Sequence, residues 1–167
     1  MAVVTTKSAA ITNRDANLGV LNNPNAGERG TPFNVFGKVA SVSGDSSASV
    51  YRFVSVPTNC RVDSVRVWSG AMGGSAAMDI GVYRNTKDGG AVVDADFFAS
   101  ALSTVSAISG TEQSHESGVY TTAKREQPLW QAVGLTADPG GTFDICGTLT
   151  AASAGNVDVG ISVDGTY

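Results

Sequence analysis

The chain has 167 residues, 42% hydrophobic and 16% charged, with a formal net charge of −4, enough for one domain with a real core and too few for two. A negative chain without clustered Lys and Arg excludes nucleic acid as a general partner, because phosphates are neutralised by grouped bases. No apolar run approaches the ~20 residues that cross a bilayer, so no membrane partner is expected.

Charged residues fall below the roughly 25% of an average soluble domain, and charge is depleted where a surface is covered by another protein. The charge is also unevenly placed. Residues 1–38 hold four bases against two acids, +2, and the remainder holds seven against thirteen, −6. The first twenty residues, MAVVTTKSAAITNRDANLGV, lack the apolar stretch of a signal peptide, so synthesis in the cytoplasm is expected.

Residues 1–32 show no sustained period of 2 or 3.6. They hold five Asn between positions 13 and 25 and two Pro, which read as extended or looped backbone. A disordered terminus, an edge strand folded back on its own domain and an arm that orders on a partner all fit. Val3, Val4, Ile11, Leu18, Val20 and Leu21 give it apolar anchors that a plain linker lacks, and Lys7, Arg14 and Arg29 give it positive charge.

From Phe33 to the end the period is two, and residues 33–167 are expected to form one β-sandwich domain. FNVFGKVASV, ASVYRFVSV and RVDSVRVWS are strands by β-branched and aromatic enrichment. In the second, Tyr51 and Phe53 alternate against Val50, Val54 and Val56, so one face packs the core and the other is expected to be covered by the arm or a neighbouring subunit. AAMDIGVYR sets Met78, Ile80 and Val82 opposite Asp79 and Tyr83. DADFFASALS suits a strand and a helix equally, whereas PLWQAVG has the Pro start and Gly stop of a short helix. TFDICGTLT and NVDVGISVD alternate strictly, with Phe143, Ile145 and Leu149, then Val157, Val159, Ile161 and Val163, on single faces. Turns fall at 43–45, 57–59, 70–74, 87–90, 137–141 and 154–156. About eight short strands and at most one or two short helices make an all-β fold, a sandwich of jelly-roll type.

No catalytic motif stands out. His115, the sole histidine, lies in GTEQSHESG beside Ser114 and Glu116, a polar surface loop rather than a triad, whose members converge from separate elements. Asp88, Asp94 and Asp96 lack calcium-loop spacing and read as turn residues or caps. Cys60 and Cys146 read as buried thiols, and no Cys/His group has zinc spacing. No GxGxxG, P-loop or GxSxG is present. Neither a cofactor nor a metal is expected, and the protein is expected not to be an enzyme. Trp68 and Trp130 are packing or interface residues, or, with Tyr83, a sugar-stacking surface.

Several segments, among them ASVYRFVSVPTNCRVDSV, DIGVYR, GGAVVDADFFAS, HESGVY and VGLTADPGG, resemble small head proteins of tailed bacteriophages, the capsid decoration or cement proteins. The resemblance implies a jelly-roll sandwich on the outer surface of the virion, bound as a homo-dimer or homo-trimer across neighbouring major capsid proteins. On that reading Val3, Val4, Lys7, Ile11, Arg14, Leu18, Leu21, Arg29, Tyr51 and Phe53 meet the capsid or an adjacent subunit. The alternative is a carbohydrate- or receptor-binding module of a phage tail or fibre, which would expose Trp68, Trp130 or Tyr83 on one concave surface.

Overall fold

The computed structural model describes residues 31–167. Eight strands run in chain order: β1 (Pro32–Ala40), β2 (Val50–Pro57), β3 (Arg61–Ser69), β4 (Ala77–Arg84), β5 (Val92–Ser103), β6 (Ile108–Glu112), β7 (Thr142–Ala151) and β8 (Asp158–Thr166). Two single-turn helices, α1 (Thr122–Arg125) and α2 (Leu129–Ala132), lie between β6 and β7, and a 3₁₀ turn, Thr86–Asp88, joins β4 to β5. PLWQAVG forms α2 as expected, with Pro128 at the N-cap and Gly134 past the end at φ 86°. The strand reading of DADFFASALS is the one the structure adopts. The sequence reading overlooked α1, and it took the first part of GTEQSHESG, which closes β6, for loop.

All pairing is antiparallel, in sheets of order β1-β8-β3-β6 and β2-β7-β4-β5. The pairs β1·β8, β2·β7, β3·β6 and β4·β5 are those of one long ribbon folded at its middle. Rolling that ribbon brings β8 beside β3 and β7 beside β4, which is the jelly roll. The core between the sheets follows the period of two. Val62, Val65, Val67, Met78, Ile80, Val82, Phe143, Ile145, Leu149, Val159, Ile161 and Val163 are all buried. Cys60 and Cys146 are buried free thiols, and burial pushes both up to about 12.

Bulges break the alternation on β2 and β5, and further ones fall on β3 at Asp63, β6 at Gly110 and β7 at Thr150. On β2 the register slips between Arg52 and Val54, leaving Phe53 as the extra residue. Arg52 is then opposite Cys146, and Tyr51 is opposite Gly147, in line with Ile145 and Phe143. Tyr51 therefore shares the core face with Val54 and Val56 instead of opposing them, which corrects the alternation read from the sequence. Its ring is 7% exposed and its hydroxyl donates to Asp45 at 2.6 Å.

The second bulge is larger. Ile80 of β4 pairs with Ala99 and Val82 with Asp94, so four residues of β5 stand against Gly81 alone. A Cβ on Gly81 would overlap the carbonyl oxygens of Asp94 and Ala95. The looped strand buries both Phe97 and Phe98, which meet at 4.9 Å and enclose Tyr120 at 5.3 and 5.2 Å. Such ring pairs add about 0.5–1.5 kcal/mol each beyond their burial. Tyr120 donates its hydroxyl to the carbonyl of Val62 at 2.6 Å, tying the segment after β6 to β3. Segment 113–120 also borders β5: the Ser117 N–H donates to the Phe98 carbonyl and Glu116 accepts from the Ser100 N–H. That blunts an edge otherwise open to pairing.

Gly81→Ala is expected to lower stability by about 3 kcal/mol, since backbone carbonyls cannot yield as side chains do. Gly89→Ala, at φ 85° with open space around it, should cost about 1 kcal/mol. Urea denaturation of the two variants checks the difference.

Candidate functional site

The two sheets turn different chemistry outward. On β2-β7-β4-β5 the centre is sealed by Arg52. Its guanidinium pairs with Asp144 at 2.8 Å and donates to the carbonyls of Arg84 and Gly90 at 3.0 and 2.7 Å. It also lies over the ring of Tyr83 at 5.5 Å. Ser55 donates to the other Asp144 oxygen, and the Tyr83 and Thr148 hydroxyls meet at 2.6 Å. Tyr83 is consequently only 6% exposed although it points away from the core. A depression of about 110 Å³ beside this cluster is lined by Arg52, Phe53, Val54, Ser55 and Asp144. Ligand pockets of roughly 300–1,000 Å³ are much larger.

On β1-β8-β3-β6 the outer face is open. β1 turns Phe33, Val35 and Val39 toward the core, so Asn34, Phe36 and Lys38 face out. β8 presents Asp158, Gly160, Ser162 and Asp164, and β3 presents Ser64, Arg66 and Trp68, in rows set by the register: Asn34, Asp164, Ser64; Phe36, Ser162, Arg66, Glu112; Lys38, Gly160, Trp68. Phe36 is 58% and Trp68 36% exposed, edge to face at 5.8 Å. Both rings rest on glycine. A Cβ on Gly160 would come within 2.7 Å of the Phe36 ring, and one on Gly110 within 3.0 Å of the indole. Glycines of the central strand β8 and the edge strand β6 thus form the floor on which the aromatic pair lies.

The polar rim is satisfied internally. Asn34 Nδ2 donates to Asp164 at 2.6 Å and to Ser162 at 2.9 Å, Ser64 donates to the second Asp164 oxygen at 2.8 Å, and Lys38 pairs with Asp158 at 2.7 Å. Asn34, then Ser64, hold the Asp164 carboxyl below the usual carboxylate range, with a smaller pull from Arg66.

The ends of the sandwich differ as well. The loops 41–49, 70–76, 104–107 and 152–157 are stitched together by backbone bonds such as Gly44 N–H to Ser153 O, Met72 N–H to Thr104 O and Ala154 N–H to Met72 O. They contain one charged residue, Asp45, and expose Val42 and Val105. The opposite end carries Lys87, Asp88, Glu116, Lys124, Arg125, Glu126 and Asp138 in its loops and short helices.

Of the residues expected to meet a partner, Val3, Val4, Lys7, Ile11, Arg14, Leu18, Leu21 and Arg29 lie outside the described residues, as does residue 1–30 of the expected arm. Tyr51 is buried in its own domain, and Phe53 is half-buried against the core. Trp68, Trp130 and Tyr83 do not share a surface: Trp68 is on one sheet, Tyr83 is on the other, and Trp130 is half-buried on α2. Phe36 was missed as a site residue. The signal was present, because Asn34 and Lys38 flank it at the same parity and so put an aromatic ring on the polar face. His115 is exposed and stacks on Tyr120 at 5.4 Å, and its Nδ1 contacts the Tyr120 carbonyl. Asp88 belongs to the 3₁₀ turn capped by Asn85, whereas Asp94 and Asp96 are half-buried in β5 rather than in a solvated turn. Burial, then the neighbouring Asp96, raise Asp94. Among the described residues no three His, Cys, Asp or Glu side chains gather where they could hold a metal ion, and no helix is long and apolar enough to cross a membrane.

The described residues form a jelly roll with a broad external face. No protein-family model matches the chain, and no curated protein does. Among solved structures, it is similar to a chain of the cyanophage Pam1 capsid asymmetric unit, with a TM-score of 0.51, 14% identity and 98% of each chain covered. At that identity the likeness is one of fold.

The lowered Asp164 has a consequence in acid. A folded value below the unfolded one gives a stabilisation that is complete above the unfolded value of ~3.9 and is lost as pH falls through the folded value. Asp164→Asn should therefore flatten part of the acid limb of stability against pH, read as urea midpoints from neutral pH downward. An unchanged limb would contradict the assignment.

Proposed function

We propose that the protein is a virion structural protein that binds the outside of an icosahedral phage capsid as a small oligomer and cements neighbouring major capsid proteins. The observation that carries this reading is the end-to-end likeness to a chain of a phage capsid asymmetric unit, over 98% of both chains. It agrees with the resemblance in sequence to phage decoration proteins. It is a binding protein and not an enzyme: holding a shell together calls for wide contact, and here the Phe36–Trp68 face and the charge-poor loop end offer surface rather than a pocket.

Residues 1–32 are the segment we assign to the capsid or to an adjacent subunit. An extended segment gains contact area by wrapping a neighbour and loses conformational entropy when it orders there. Val3, Val4, Ile11, Leu18 and Leu21 would supply apolar burial, and Lys7, Arg14 and Arg29 would meet acidic groups.

Deleting residues 2–30 should abolish co-sedimentation with capsids assembled without the protein, while near-ultraviolet circular dichroism of the sandwich is retained. A truncated chain that still decorates those capsids at full occupancy would sink the role given to the arm. Full-length protein that fails to decorate them would sink the cement reading itself.

A further inference from the structure

We propose that the outer face of β1-β8-β3-β6, centred on Phe36 and Trp68, is the contact for a second copy of this chain. The inference rests on the oligomer part of the function just proposed and not on its capsid part.

Three observations point to a second copy as the occupant. The first is charge. Residues 32–167 hold eight bases and thirteen acids, yet this face carries Lys38 and Arg66 against Asp158, Asp164 and Glu112, close to balance. Two bodies of the same negative sign repel least where both signs are interleaved, and a copy turned about a two-fold axis can set its Arg66 against a carboxylate of its mate. Residues 1–31, with Lys7, Arg14 and Arg29 against Asp15 and Glu28, carry only +1, so charge gives them no preference for this nearly balanced face.

The second is the cost of removing water. Asn34, Ser64, Ser162 and Asp164 bond to one another, and Lys38 pairs with Asp158, so covering them costs less than covering unpartnered groups would. The aromatic pair is the part of the face with most to gain from burial, and Trp beside Arg is the composition of an interface centre.

The third is shape and size. Gly160 and Ser162 keep the central strand low, and the Phe36 and Trp68 rings meet above it as the raised centre of the face. Three strands ~30 Å long and the shorter β6, about 4.8 Å apart, project roughly 500 Å², and side-chain relief brings the accessible area toward the ~800 Å² per partner of a standard interface.

The test uses the full chain without capsids. Sedimentation across a wide concentration range should show self-association, weakened at least about thirtyfold by Phe36→Ser or Trp68→Ser. Val92→Ser, an exposed valine on the other sheet, should leave it unchanged. Because a substituted chain could misfold, a second measurement places a benzophenone side chain at position 36 and irradiates a mixture of isotopically light and heavy protein. Cross-links between light and heavy chains within residues 32–40, 61–69, 108–112 or 158–166 support the proposal. Cross-links only to residues 1–31 or only within one chain overturn it, as does a monomeric wild type. A chain that associates through this face yet ignores capsids supports this inference and overturns the capsid reading alone.

Discussion

The absence of a side chain at Gly81 is the constraint on which most of the described fold depends. It lets the backbone of β5 loop across β4, so that four residues of one strand stand against one of the other. That excursion brings two consecutive residues, Phe97 and Phe98, into the same core cluster, whereas neighbours in a regular strand point to opposite faces. The two rings then enclose Tyr120, and the Tyr120 hydroxyl ties the segment after β6 to the Val62 carbonyl. The same segment lies along β5 and blunts it. One missing Cβ therefore connects sheet pairing, core packing and the protection of an edge.

The two external faces follow opposite strategies. Arg52 covers its sheet from within the chain, using an ion pair, two carbonyls and a tyrosine ring, and so leaves little for a partner to bury. The other sheet satisfies its polar groups around the edge and leaves two aromatic rings in the open. The Arg52 guanidinium is already engaged within its own chain, whereas Phe36 and Trp68 expose apolar surface that gains by being covered. This asymmetry is what the proposed binding direction rests on. The small and uncharged residues of the loop end add a second surface on which close approach carries little desolvation cost.

The candidate face was partly legible beforehand. Trp68 was open between packing and interface, and the parity of Asn34, Phe36 and Lys38 already separated Phe36 from the core residues beside it. What hid Phe36 was the general rule that aromatic residues in strands pack inward; its exposure depends on Gly160, a residue more than a hundred positions later. Tyr51 was misplaced for a related reason. One extra residue at Phe53 reverses the face of everything before it, and a bulge leaves no mark in a run of Val, Tyr and Phe.

The sequence by itself determined where strands lie, which side of most of them is apolar, and where the chain turns. Those properties depend on neighbours two to four residues apart, through the alternation of Cβ atoms and the positive φ that Gly-rich turns such as 73–74, 89–90 and 140–141 adopt. The tertiary structure alone decided the strand order, the bulges, the burial of Tyr83 under Arg52 and the exposure of Phe36. Each of these joins residues far apart in the chain, as Pro32 is joined to Thr166 across nearly the whole described length. A local period carries no information about which distant strand will supply the hydrogen bonds, the covering guanidinium or the glycine floor.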